Sequence, residues 1–146
     1  MRKHCKRVQR RAVAPTMVAM HLNPEICIHE QMAVNALRGG WATTDHFNLL
    51  ADCRDMLILA ASERGDRSVM IACDLAGIAL MNMRDRHADK GKIGATGDEL
   101  KALSLLVTVS EDFWKRQGGN LFVDAEAELH RARQMRAEEV SMKETS

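Results

Sequence analysis

The chain has 146 residues, the length of one domain, and its 46% apolar and 28% charged content excludes a disordered or low-complexity polypeptide. Its net charge of +1 conceals an asymmetry, because Arg2, Lys3, Lys6, Arg7, Arg10 and Arg11 all precede the first acid, Glu25. Taking these six from the 21 cations leaves 15 against 20 acids, so a basic arm sits on a body of net charge −5, and that body repels polyanions.

In chain order, residues 1–15 read as the arm and 16–146 as a single helical domain, with a short helical turn over 16–22. Asn23 reads as the cap of a helix whose first residue is Pro24, and Gly39-Gly40 end it. Thr43 or Thr44 caps the next helix, which runs to about Arg64 and stops at Gly65. Phe47, Leu50, Ala51, Leu57, Ile58 and Ala61 recur there at helical spacing, with Arg54 in the same row. A third helix is expected from about Ser68 to Lys90, with Ala72, Leu75, Ala76, Ala79, Leu80 and Met83 facing inward and Gly91 just past its end.

In the loop GKIGATG, Thr96 and Glu99 have the spacing of a capping box. The fourth helix then carries Leu100, Leu103, Leu106, Val107, Ser110, Phe113 and Trp114 to a stop at Gly118-Gly119. A last helix starts at the cap Asp124; its apolar face (Ala125, Leu129, Ala132) is thin, which places it at the edge or projecting. Strand-favouring residues are scarce, and Ala, Leu, Met, Glu, Arg and Lys dominate. The expected fold is all-α: a small antiparallel bundle of four to five helices behind a basic N-terminal arm.

Little in the sequence points to catalysis. Cys27 with His29 and His46 with Cys53 are the nearest approach to metal-ligand pairs, and buried thiols with partly buried histidines explain them better than zinc does. HEQMA lacks the second histidine of a zinc-protease helix, with Ala33 in its place. GKIGATG is not a phosphate loop: Lys92 follows the first glycine, no strand precedes, and Asp98 and Glu99 occupy the helix start. No nucleophile motif occurs, so no catalytic residue, metal or cofactor is expected. The four cysteines are scattered, no secretory cleavage site follows the arm, and no apolar run is long enough to span a bilayer; the expectation is a reduced, cytoplasmic protein.

Two binding modes remain. The six arm cations are candidates for salt-dependent, sequence-blind contact with nucleic acid, although three Phe, two Trp and no Tyr make no stacking platform. The ten methionines suit an adaptable protein-binding surface. Met70, Met81, Met135 and Met142 fall away from the core stripes, and with Trp41 and Trp114 they are the candidate interface residues.

The basic start, together with Gly91, Lys92, Gly94, Thr96, Gly97, Leu100, Lys101 and Leu103, resembles small helical proteins of bacteriophages, prophages and plasmids of proteobacteria. Their Val-x-Pro-Ile phrase is echoed by Val13-Ala14-Pro15-Thr16. The resemblance implies a mobile-element accessory protein with no catalytic residue to carry over. Its expected action is to bind and inhibit or disassemble a host protein complex. An anti-CRISPR-type inhibitor is one such protein, its acidic body filling a basic nucleic-acid groove of a CRISPR-Cas surveillance complex or displacing a subunit. The alternative is an accessory or regulatory protein that binds nucleic acid through the arm.

Overall fold

Glycines and capping side chains cut the chain into five α-helices in the computed structural model, which describes residues 15–117 and 119–145, with side chains over 27–117 and 120–145. The six arm cations and Cys5 lie outside the described residues. The helices are α1 (Pro15–Gly39), α2 (Thr44–Arg64), α3 (Arg67–Lys90), α4 (Gly97–Arg116) and α5 (Gly119–Glu144), and no strand occurs among the described residues. Short connections reverse the chain between the first four. Each packs on the next, α4 returns against α1, and α5 lies across α1 and α2.

Two helix starts differ from the sequence reading. α1 begins at Pro15, not at Pro24, so the two proposed elements are one helix. The missing N–H suits either proline to a first helical position, and Pro24 instead stands in the interior, where it forgoes one backbone hydrogen bond. α5 begins at Gly119, ahead of Asp124, because the apolar segment Leu121-Phe122 packs on the core and holds the first turn in place. Phe122 meets Trp114 edge-on with ring centroids 5.0 Å apart.

Elsewhere local signals and structure agree. Left-handed glycines at Gly40, Gly65 and Gly91 close α1, α2 and α3. The Trp41 N–H bonds the Ala36 carbonyl at 3.0 Å, completing the reversal after α1. At the start of α2 the Thr43 N–H donates to His46 Nδ1 at 3.0 Å, so a histidine fills the place usually taken by a glutamate. Asp66 caps α3, accepting from the Val69 N–H at 3.3 Å and the Ser68 hydroxyl at 3.0 Å. Those two hydrogen bonds hold its carboxyl below the usual range.

The Thr96–Glu99 box forms as expected: the Thr96 N–H donates to Glu99 Oε2 at 2.8 Å and the Glu99 N–H to Thr96 Oγ1 at 3.3 Å. The structure adds a third member, Arg86, which bonds both Glu99 and the Gly94 carbonyl and so ties the end of α3 to the start of α4. Between α2 and α3, Arg54 Nε donates to the Cys73 carbonyl at 2.8 Å. Gly77 makes room for this guanidinium; a Cβ there would stand 2.7 Å from Arg54 Nε.

Candidate functional site

Two features stand apart from ordinary helix packing: a polar cluster inside the bundle and an apolar face outside it. The inner one centres on Glu30 of α1, which is 3% exposed. Its carboxyl faces the Cys53 thiol of α2 and the Ser110 hydroxyl of α4, yet Glu30 Oε2 and Ser110 Oγ find no hydrogen-bond partner among the described residues. Burial pushes the Glu30 carboxyl up to about 7; the neighbouring Glu111 charge adds to the rise, and Cys53 and Ser110 oppose it. Burial likewise raises the thiols of Cys27 and Cys53, with the Glu30 charge contributing, and it raises Cys73 to about 11. These thiols are therefore protonated and poor nucleophiles near neutral pH.

The outer feature is on α3. Ala72, Ala76, Ala79, Leu80 and Met83 face inward as expected, joined by Val69 and Cys73. Leu75 does not; it is 46% exposed, which corrects its assignment to the inner stripe. At 100° per residue it lies beside Ile71 and Ile78, which are 55% and 60% exposed. The three form an i, i+4, i+7 row rising about 10 Å along the helix. Met81, 57% exposed, extends the row toward α2, where it lines a groove with Phe47, Ala51, Arg54, Gly77 and Arg84. Exposed Asp74, Asp85 and Asp89 border the row, with Arg67 at its N-terminal end. Single exposed apolar residues are common on protein surfaces, whereas here three adjoin along one face of a helix.

The structure separates the residues that the sequence grouped as interface candidates. Met81 belongs to the α3 face. Trp41 is 56% exposed at the α1–α2 turn, edge-on to His46 with centroids 5.4 Å apart. Met135 is exposed on α5, as is Met142. Met70 is half-buried against the core. Trp114 is a core residue, buried at 4% exposure between Phe113 and Phe122, because it continues the inward stripe of α4 and α5 covers it. Sequence reasoning missed Glu30 and the Ile71–Ile78 row. Glu30 shares the i, i+3, i+7 spacing of Cys27 and Val34, and that spacing was the available signal.

Among the described residues, no group of three or more His, Cys, Asp or Glu is placed to hold a metal ion. Cys27 is buried while His29 is exposed, and the His46 Nδ1 accepts the Thr43 N–H. Arg86, Lys90 and Lys92 do gather at a cleft of about 430 Å³ beside Gly94 and Thr96. Arg86 is bound to Glu99 there, and the capping box uses the start of α4. No helix among the described residues is long and apolar enough to cross a membrane. No protein-family model, curated protein or solved structure matches the chain.

Proposed function

We propose that the protein is a non-enzymatic binding module that docks on a protein partner through the outer face of α3. The observation that carries this reading is the exposed Ile71–Leu75–Ile78 row with Met81 beside it. Burying such side chains is worth about 1.5–3 kcal/mol each, enough for a few of them to anchor a contact. Asp85 is paired with Arg84, which leaves Asp74 and Asp89 beside the row to favour a partner with basic residues at the rim of its apolar groove. A nucleic-acid groove of a nucleoprotein complex has that character. A host CRISPR-Cas surveillance complex, inhibited or disassembled in the cytoplasm by an accessory protein of a mobile element, is the partner class we put first.

The test is affinity capture from host lysate, comparing the wild-type chain with the Ile71→Asp, Ile78→Asp double variant. Both positions are exposed, so the variant retains the fold. A discrete set of proteins captured by the wild type, lost with the variant and displaced by added nucleic acid supports the proposal. Equal capture by both chains refutes it.

A further inference from the structure

The gap between the start of α2 and the end of α3 holds a cleft that the α3 row does not use. The chain reverses between these helices, so the first turns of α2 stand beside the last turns of α3. Past Gly91 the chain returns and packs the half-buried Ile93 against the core. The resulting cleft, of about 160 Å³, is lined by Thr44, Phe47 and Asn48 of α2, by Met83, Arg84 and His87 of α3, and by Ile93.

Burial sorts these residues into a floor and a mouth. Met83 is buried and Phe47 and Ile93 are half-buried, so the floor consists of a thioether, an aromatic ring and a branched alkyl chain. A cavity of about 150 Å³ with apolar walls holds one benzene ring, and a thioether and a ring suit an aromatic guest. Thr44, Asn48, Arg84 and His87 are exposed and form the mouth.

The mouth supplies donors and no negative charge: among the described residues, no acidic side chain lines the cleft. Arg84 holds Asp85 at 3.6 Å through one nitrogen, and both side chains are largely exposed, so this pair leaves most of the five guanidinium N–H donors open. The Thr44 hydroxyl, the Asn48 amide and the His87 ring make no hydrogen bond or ion pair among the described residues. A guanidinium beside neutral donors is an arrangement suited to a carboxylate.

We infer that this cleft binds a free monocyclic aromatic carboxylate. The ring lies on Phe47, Met83 and Ile93, and the carboxylate accepts from Arg84, with Asn48 and His87 donating beside it. A ligand of about ten heavy atoms held in this way binds at about 0.1–1 mM. The cleft meets the Met81 groove at Phe47 and Arg84, but Ile71, Leu75 and Ile78 do not line it, so the inference stands apart from the α3 reading.

Titration of the isotope-labelled full chain with phenylacetate, followed by amide NMR, tests it. Saturable shifts gather at residues 44–48, 83–87 and 93. Phenylacetamide lacks the charge and acetate lacks the ring, and each binds at least about tenfold more weakly. Arg84→Gln is an exposed change that leaves the fold intact, and it weakens phenylacetate about tenfold. The Ile71→Asp, Ile78→Asp variant binds phenylacetate as the wild type does. The inference is overturned by the absence of saturable shifts up to about 10 mM, by either control binding as tightly as phenylacetate, by wild-type affinity in Arg84→Gln, or by lost binding in the α3 variant. A short peptide ending in phenylalanine that binds more tightly than phenylacetate assigns the cleft to a partner's C-terminus and overturns it as well.

Discussion

Glu30→Gln tests the physical account of the core most sharply. A carboxyl raised from 4.5 to about 7 by burial binds its proton more tightly in the folded than in the unfolded chain. The folded state then pays no penalty below pH 4.5. The penalty grows as pH rises from 4.5 to about 7 and levels off above. At about 1.4 kcal/mol per pH unit, the displacement corresponds to a loss of about 3 kcal/mol between pH 4.5 and pH 8. That is a large part of a typical stability of about 5–15 kcal/mol. Gln keeps the shape and removes the titration, so it matches the wild type near pH 4.5 and is about 3 kcal/mol more stable at pH 8. Urea unfolding followed by circular dichroism from pH 4.5 to 8.5 reads the difference, and subtracting the two profiles cancels every other titrating group. If the two profiles run parallel, Glu30 ionises without penalty and the reasoning fails.

Trp114→Ala lowers stability by about 3–5 kcal/mol, as removal of a large buried ring does, and denaturant melts record it; a change under 1 kcal/mol contradicts its place in the core. Glu99→Ala costs about 2–3 kcal/mol because it strips the Thr96 N–H of its acceptor and leaves Arg86 with the Gly94 carbonyl but no carboxylate. Thr96→Ala costs about 1 kcal/mol, since it removes only the cap. Equal losses for the two variants, measured the same way, contradict the three-member arrangement. Arg133→Ala changes stability by less than about 1 kcal/mol, because the pair it forms with Asp52 is half-exposed.

Much of the fold was legible because helix ends have local chemistry. Gly65, Gly91 and the Thr96–Glu99 box announce themselves within four residues. What lay beyond the sequence reading was long-range. Two prolines satisfy the same rule for a helix start, and the rule alone does not choose Pro15 over Pro24. Leu75 looks like core because it is leucine at helical spacing; its exposure depends on where α2 and α4 flank α3. Glu30 looks like a surface residue because it is charged, and its burial depends on the meeting of α1, α2 and α4. The candidate site was hidden for the same reason. Ile71 and Ile78 carry the expected hydrophobicity of a helix, and only the assembled bundle leaves them outside.

The central claim, that the outer face of α3 is the binding surface, is tested most directly by a photo-crosslinking residue placed in the host cell at position 78. The same residue at position 108, exposed on the outer side of α4, serves as the control. The account predicts one discrete adduct with a host protein from position 78 and none from position 108. No adduct from position 78, or an equal adduct from both, would contradict it.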